Sequence, residues 1–211
     1  MTKTHSQIET LLAALLQRGV NRIGEILIRG EFELLHHADA DRSDLQFFNN
    51  PEDAREIAKY DESGNFRPLK TAPNLRCGWK LVLRDLHELR EALDCFYPAM
   101  PGVLFAHECS ALEVVDLRET LNRQTGMYAV TKKISNKQAN ELIAGFCRSD
   151  NGCLKTILWR IDANTPVTSL PPCKFDPAAN QLGQSVLAIP LLCHEACNLL
   201  VAAARNKVKS E

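Results

Sequence analysis

The chain has 211 residues, a net charge of −1, and 45% apolar and 24% charged residues, as expected for a folded globular protein. Aromatic residues make up only 6%, so we expect a mainly aliphatic core. The apolar runs are too short to cross a bilayer and the N-terminus lacks the apolar segment of a secretory signal, so we expect a cytoplasmic protein that does not enter a membrane.

The two parts of the chain differ in charge. Residues 1–117 carry 13 Lys and Arg against 19 Asp and Glu, a net charge of −6. Residues 118–211 carry 12 against 7, a net charge of +5. A split of this kind indicates two units with different roles. We predict an acidic domain of stabilising type in residues 1–111 and a basic, mainly helical domain in residues 112–211.

The first domain alternates between helix and strand signals, which predicts a small mixed α/β unit. Helices start after capping residues or at a Pro, and strands are short apolar runs bounded by Gly or polar residues. In chain order, we predict a helix over 6–18, a hairpin of strands at 25–29 and 31–35, a helix from about 51 to 59, a strand at 79–83, a helix over 86–97 and a turn at 99–102.

The second domain is predicted to be mainly helical, so the fold class of the whole chain is α+β. Between residues 162 and 192 lie five prolines and little periodicity, which is typical of a functional or irregular connection. We predict helices over 113–123, 136–146, 154–161 and 193–207, with short strands at 127–131 and 185–189.

Two sets of metal-type residues in the first domain have simpler interpretations. A cluster of two histidines and two aspartates could bind a metal, but a solvated acidic loop at a strand end is the simpler expectation: His36, His37, Asp39 and Asp41. Three cysteines are isolated in sequence, and we expect small buried apolar residues at each: Cys77, Cys95 and Cys109.

Four of the eight cysteines form two close pairs in the basic domain, Cys147 with Cys153 and Cys193 with Cys197. In a reducing cytosol, paired thiols are more often metal ligands than disulfides. Zinc sites most often use closer Cys spacings, and the Cys-x2-Cys-x2-Cys run of ferredoxins is absent. We predict that the four thiols bind one [4Fe–4S] cluster, with a zinc site and buried core cysteines as alternatives.

The surroundings of these thiols are expected to favour an anionic cluster. A helix from Cys193 would place Cys197 on the same face, ~6 Å along the axis, with free N–H groups at its start. Gly152 would let backbone amides face the cluster sulfides. Arg148 and Lys155 could offset the negative charge. A substitute ligand is available in Cys173 and, less readily, in His194.

The Cys-x5-Cys and Cys-x3-Cys pairs, 39 residues apart, resemble the cluster-binding pattern of sirohaem sulfite and nitrite reductases. That resemblance is confined to the thiols and implies a [4Fe–4S] cluster, not reductase activity. In those enzymes one of the cysteines also bridges to sirohaem.

A wider resemblance covers most of the chain and involves Leu75-Arg-Cys-Gly-Trp79, Arg123-Gln-Thr-Gly-Met-Tyr128, Gly152-Cys-Leu-Lys-Thr-Ile-Leu-Trp159 and Leu192-Cys-His-Glu-Ala-Cys197. These segments resemble the iron–sulfur region appended to some CbiX-type sirohydrochlorin cobaltochelatases. The resemblance implies a stabilising domain to about residue 111, followed by a [4Fe–4S] domain. The chelatase histidines have no counterpart here, so we expect no metal insertion by this chain alone.

The resemblance also raises a second interpretation for three residues that otherwise read as packing or helix-end positions. Arg123 and Tyr128 could contact an anionic ligand or lie near the cluster. Trp159 has the same two interpretations, although a large apolar residue near a cluster ligand more often packs in the core than takes part in function.

Ligation by four cysteines leaves no open iron for substrate, which favours electron transfer, sensing or a structural role over catalysis at the cluster. No catalytic or nucleotide-binding motif is present. We predict electron transfer or redox support for a protein partner or enzyme of tetrapyrrole or cobalamin metabolism, making the chain at most an oxidoreductase component.

The alternative function is a regulatory or binding module whose cluster is structural or senses oxygen or iron. The basic domain would suit an acidic redox partner or a tetrapyrrole polycarboxylate. A solvated basic face that offsets the charge of the cluster is the simpler alternative. Nucleic acid is a disfavoured partner, because the chain has no helix-turn-helix pattern and no Lys/Arg cluster.

Overall fold

The computed structural model describes residues 6–60, 75–147, 153, 155–165, 187–189 and 191–210. The chain divides into two compact units. The first comprises Met1–Cys109 with Phe175–Leu191, and the second comprises Ser110–Lys174 with Leu192–Glu211. The domain boundary at residue 111 stays a prediction. None of the helices described is long and apolar enough to cross a membrane.

Helices and short strands occur together along the described chain, which confirms the α+β class. In chain order the elements are α1 (Gln7–Gln17), β1 (Val20–Ile23), β2 (Ile26–Arg29), β3 (Glu33–His36), a 3₁₀ helix (His37–Asp39), β4 (Gln46–Phe48), α2 (Asp53–Ile57), β5 (Trp79–Val82), α3 (Leu86–Phe96), α4 (Met100–Glu108), α5 (Leu117–Asn122), a second 3₁₀ helix (Gly126–Lys133), α6 (Asn136–Phe146), β6 (Thr156–Ile157), β7 (Leu187–Ile189), β8 (Leu192–Cys193) and α7 (Asn198–Lys209).

A mixed sheet organises the first unit. Among the residues described, its strand order is β4-β5-β3-β2-β1-β7. Strands β1, β2, β3 and β5 are antiparallel to their neighbours in that series, whereas β4 pairs with β5 and β7 pairs with β1 in parallel. The predicted hairpin is confirmed, since Ile28 pairs with Leu34 across the turn at Gly30. Leu34 is fully buried, so β3 forms part of the core.

Three of the predicted capped helices, α1, α3 and α6, are confirmed, whereas the helix predicted from Pro51 begins at Asp53 without a side-chain cap. At the start of α1, the N–H of Glu9 donates to Oγ of Ser6 and the N–H of Ser6 donates to the carboxylate of Glu9, which forms a capping box. Asp85 caps α3. Ser135 and Gln138 form the same capping box at α6. These side chains satisfy N–H groups that have no partner within the first helical turn.

One helix of the first unit occupies the position of a predicted turn. Residues Met100–Glu108 form α4, which contradicts the turn predicted at 99–102. Pro101 lies in the first helical turn, where its missing N–H and its fixed φ cost nothing. Ala99, with φ 65°, turns the chain into this helix.

Among its described residues, the second unit packs three helices, a 3₁₀ helix and a two-stranded parallel sheet around a shared core. Strand β6 pairs with β8, with Ile157 opposite Cys193. The core consists of aliphatic side chains and one indole: Leu117, Leu121, Ile134, Ala139, Ile143, Ile157, Trp159, Ile161, Ala196, Leu200, Val201 and Ala204.

Several predictions for the second unit are wrong. The predicted strand at 127–131 is a 3₁₀ helix. The helix predicted over 113–123 is confirmed over the shorter range Leu117–Asn122, which is α5. The described part of the predicted helix over 154–161 contains β6 instead. There, the pairing of Ile157 with a distant strand outweighs the helical spacing of the apolar residues.

Candidate metal centre

The first cysteine pair lies at the C-terminal end of α6. Cys147 is the C-cap of α6, and its N–H donates to the carbonyl of Ile143 at 2.9 Å. The N–H of Cys153 donates to the carbonyl of Phe146 at 3.0 Å, which fixes Cys153 at the same helix end. The predicted contacts Arg148 and Gly152 lie outside the described residues, as does the substitute ligand Cys173.

Cys193 ends strand β8, and its sulfur bonds to Trp159 and to Glu195. The indole N–H of Trp159 donates to its sulfur at 3.3 Å. The thiol in turn lies 3.1 Å from the carbonyl oxygen of Glu195, to which it donates. Trp159 is thus both a buried core residue and a direct neighbour of a predicted ligand.

The predicted helix from Cys193 is wrong, because α7 begins five residues later. The carbonyl of Cys193 accepts from the N–H of Leu158 at 2.8 Å in the β6–β8 pair, which holds its backbone extended. Cys193 and Cys197 therefore do not lie one turn apart on a helix.

Cys197 is the N-cap of α7, and its sulfur accepts from the N–H of Leu200 at 3.5 Å. The N-terminal end of a helix favours negative charge, and α7 is 12 residues long. The helix start that the sequence assigned to Cys193 thus belongs to Cys197.

Three of the thiols, those of Cys153, Cys193 and Cys197, lie close enough for the charge of one to change the pKa of another. Burial raises the pKa of the Cys153 thiol, and the charge of Cys197 adds to that rise. Burial likewise raises the pKa of Cys193, which both Cys153 and Cys197 raise further. Lys155 opposes these shifts, because its positive charge lowers the pKa of Cys153 and of Cys193.

The fourth thiol packs against the same hydrophobic core. Cys147, Cys193 and Cys197 all contact the core cluster of the second unit. All four side chains are partly buried rather than sealed from solvent. Two of the thiols, Cys147 and Cys153, come from the end of α6, whereas Cys193 comes from β8 and Cys197 from the start of α7.

This donor set fits an iron–sulfur cluster. The predicted ligands are all sulfur atoms, and N–H groups of Trp159, Leu200 and Lys155 bond three of them. Such bonds stabilise the negative charge that cluster thiolates carry. The assignment of Cys147, Cys153, Cys193 and Cys197 as the ligands remains a prediction.

The two polar residues singled out by the resemblance make structural contacts. Arg205 lies over the ring of Tyr128, with its guanidinium carbon 5.5 Å from the ring centroid. Arg123 lies 3.4 Å from the hydroxyl of Thr120, one turn earlier in the chain. Both contacts stabilise the second unit.

The first unit holds a group of metal-type side chains that the sequence did not connect. His36 and Asp39 are buried, so the solvated-loop interpretation is wrong for these two residues, whereas Asp41 is exposed. Cys77 lies beside them and is not an isolated apolar side chain. Local sequence carries no signal for this contact, because 41 positions separate Cys77 from His36.

Comparison with known proteins finds two family models that match consecutive parts of the chain. Residues 109–206 match the family described as a 4Fe-4S iron–sulfur cluster binding domain, and residues 9–108 match the DR2241 stabilising domain. The first match confirms the predicted [4Fe–4S] cofactor and favours it over zinc. No curated protein matches the chain.

A solved structure supports the same conclusion. The chain is similar to DR2241 from Deinococcus radiodurans, with 33% sequence identity and a TM-score of 0.73. The similarity covers 98% of this chain and 42% of DR2241, so the chain spans less than half the length of that protein. DR2241 is described as a multi-domain protein with structural similarity to chelatases and with two additional novel domains.

Proposed function

Because this chain joins a DR2241 stabilising domain to a 4Fe-4S cluster binding domain of the kind appended to CbiX-type chelatases, we propose that it transfers single electrons to a partner in tetrapyrrole metabolism. One electron comes from a reduced donor protein and leaves to an oxidised acceptor protein. The proposal includes a cytoplasmic location, where reducing conditions keep thiols available as ligands.

The observation that carries this proposal is an all-sulfur donor set at partly exposed positions. When bound, a cluster held by four cysteines supplies a one-electron couple and leaves no iron open to substrate. Its predicted ligands, Cys147, Cys153, Cys193 and Cys197, each retain some solvent exposure. A donor or acceptor protein could therefore approach this site from the surface of the second unit.

Residues around the thiols would set the reduction potential. The N–H groups of Trp159 and Leu200 point at sulfur atoms, and Lys155 places a positive charge near Cys153 and Cys193. Each interaction stabilises negative charge, so each favours the reduced state.

The tetrapyrrole assignment rests on DR2241, whose structure resembles chelatases. A tetrapyrrole polycarboxylate is negatively charged, and the second unit exposes the positively charged side chains of Lys132, Lys133 and Lys137. Other basic side chains of this unit are already engaged, Arg160 with Asp116 and Lys207 with Glu141. Lys209 is also exposed, at the end of α7, but Lys132, Lys133 and Lys137 lie close together in the chain. We therefore assign these three lysines to recognition of an acidic partner.

A structural role for the cluster is the second candidate, and the placement of the thiols favours it specifically. The predicted ligands join the end of α6, strand β8 and the start of α7 around one core. A cluster across these elements would cross-link the second unit.

An anaerobic redox titration of the cluster-loaded protein distinguishes the two candidates. Electron transfer predicts reversible one-electron reduction, with full recovery of the oxidised absorption spectrum, within the known range of about −700 to +450 mV. A cluster that resists reduction in that range, or is lost on reduction, would support the structural role instead. Circular dichroism after iron chelation then measures how far the second unit depends on the cluster.

The partner class has its own test, with uroporphyrin as a polycarboxylate tetrapyrrole probe. We expect its main absorption band to shift on titration with the cluster-loaded protein, and the binding to weaken as salt rises. The double variant Lys132→Gln/Lys133→Gln should bind more weakly, while Lys59→Gln in the first unit should bind normally. The absence of any shift would remove the tetrapyrrole assignment and leave electron transfer standing.

A further inference from the structure

We propose that His36, Asp39 and Cys77 form a second metal site, which binds a divalent transition-metal ion of the zinc type. Each residue offers one ligand atom, and these atoms all lie within 4.8 Å of one another. The site belongs to the first unit and does not rest on the function proposed above for the cluster.

The fold brings the three side chains together from separate segments. His36 ends β3, and Asp39 lies in the 3₁₀ helix that follows directly. Cys77 comes two residues before β5, the strand that pairs with β3. Sheet pairing therefore places Cys77 beside the end of β3, and the tight helix returns Asp39 to the same point.

The site is enclosed by protein. His36 is 4% exposed and Asp39 is 1% exposed, while Cys77 is partly buried. Burial limits the access of water to the three ligand atoms, so an ion bound between them would take most of its coordination from the protein.

The hydrogen bonds of His36 assign the tautomer that such a site requires. The N–H of Ala38 donates to Nδ1 of His36 at 3.1 Å, so Nδ1 carries a lone pair and the ring proton lies on Nε2. A metal ion would replace Ala38 as the partner of that lone pair.

The other ring nitrogen faces a carboxylate. Nε2 of His36 lies 3.6 Å from Oε2 of Glu25, and it has no hydrogen-bond partner within the described part of the chain. Histidines that bind metals commonly donate their second N–H to a carboxylate, which fixes the ring and raises its basicity. Glu25 is itself held by the N–H of Leu75, at 2.6 Å.

Asp39 is fixed in an orientation suited to ligation. Its Oδ2 accepts from the N–H of Gly78 at 2.6 Å, and its Oδ1 accepts from Arg42 at 3.0 Å. An ionised carboxylate has lone pairs beyond those two bonds. Arg42 also pairs with Asp44, at 2.9 Å, so its charge is shared between two carboxylates.

The distances and donor types favour zinc chemistry. Tetrahedral ligands at about 2.0–2.3 Å from zinc lie about 3.3–3.8 Å from each other. His36 Nδ1 lies 3.4 Å from Cys77 Sγ. One nitrogen, one oxygen and one sulfur donor also suit a metal ion of borderline softness better than magnesium or calcium.

A reactive thiolate paired with an imidazolium is the competing interpretation of Cys77 and His36. That pair needs a proton on Nδ1, directed at the sulfur. The N–H of Ala38 already points at Nδ1, and two N–H groups cannot face each other there. The geometry therefore favours a metal site over a nucleophile.

X-ray absorption at the zinc edge tests the site directly. The cluster-loaded protein is treated with EDTA, desalted without oxygen and given Zn²⁺. We expect about one zinc retained per chain, with iron content unchanged, and a shell of one sulfur at about 2.3 Å with nitrogen and oxygen at about 2.0–2.1 Å. No retained zinc, or a shell of sulfur alone, overturns the proposal, since the latter places zinc among the cluster cysteines.

Matched variants test the individual ligands. Cys77→Ala should lose the zinc, whereas Cys95→Ala, a second partly buried cysteine of the same unit, should retain it. Glu25→Gln keeps an oxygen for the N–H of Leu75 and should weaken zinc binding about 10–100-fold. Retention of zinc by Cys77→Ala at wild-type affinity would refute the site. Should Cys77→Ala not fold, the wild-type absorption shell decides alone.

Discussion

The indole N–H of Trp159 donates a hydrogen bond to the sulfur of Cys193 at 3.3 Å. Trp159 is 3% exposed and belongs to the core of the second unit, so this donor cannot turn away to water. A fixed N–H donor stabilises negative charge on a cluster ligand, and the reduced cluster carries more of that charge.

Replacing Trp159 with Phe should make the reduction potential more negative. The change keeps most of the ring volume and removes one N–H···S bond, worth about 0.5–1.5 kcal/mol, which corresponds to about 20–65 mV for one electron. Anaerobic redox titration measures the shift.

Trp79 provides the matched control for that measurement. Its indole N–H donates to the carbonyl of Arg76 in the first unit, so Trp79→Phe should leave the potential unchanged. Equal potentials for the wild type and Trp159→Phe would show that this bond does not tune the cluster.

Cluster assembly should accelerate with pH over an unusually high range. Burial raises the pKa of Cys153 and Cys193, so both thiols are protonated at neutral pH, whereas ligation needs thiolates. We expect the rate of reconstitution of the cluster-free protein to keep rising above about pH 9.5, where a cysteine with the ordinary pKa of about 8.5 would already be about 90% thiolate. A plateau below that pH would contradict the prediction.

Removing the charge of Lys155 should slow assembly further. Lys155 lowers the pKa of Cys153 and of Cys193, so in Lys155→Gln both thiols ionise at higher pH. The variant should assemble more slowly at pH 8, with the difference closing as the pH rises. Lys137→Gln, an exposed change on α6, is the control, and equal rates for the two variants would refute a role for Lys155.

Two glycines with similar backbone angles should respond differently to Ala. Gly24 and Gly30 have φ of 57° and 52°, where a side chain costs about 1–2 kcal/mol. A Cβ at Gly24 would also lie 2.8 Å from Cγ of Leu191, whereas a Cβ at Gly30 would meet nothing within 4 Å. We expect Gly24→Ala to reduce the free energy of unfolding by a further ~1–3 kcal/mol.

Denaturant unfolding followed by Trp79 fluorescence in a Trp159→Phe background reports on the first unit and measures both glycine variants. Equal destabilisation by Gly24→Ala and Gly30→Ala would show that Leu191 moves aside without cost.

The predictions that the structure confirms rest mainly on residues close together in the chain, such as helix caps. The capping residues Ser6, Asp85 and Ser135 act within one helical turn, so the starts of α1, α3 and α6 follow from the sequence. The cofactor was predicted from the spacing of the two cysteine pairs together with the resemblance to cluster-binding families, with zinc and buried core cysteines as the alternatives.

Long-range pairing accounts for what the sequence did not predict. Ile157 pairs with Cys193 across 36 positions, which replaces a predicted helix by β6 and moves the start of α7 to Asn198. The same kind of contact brings Cys77 to His36. The helical spacing of the apolar residues around Ile157 and the isolated position of Cys77 in the sequence give no information about these distant partners.

The central claim, one cluster held by four cysteines, is tested most directly by iron and acid-labile sulfide analysis of anaerobically purified single variants. We predict about four irons and four sulfides per chain in the wild type, in Cys95→Ala and in Cys109→Ala, as a [4Fe–4S] cluster requires. Cys147→Ala, Cys153→Ala, Cys193→Ala and Cys197→Ala should each lose the intact cluster. Retention of the full iron and sulfide content by any of these four variants, or its loss in Cys173→Ala, would contradict the ligand set.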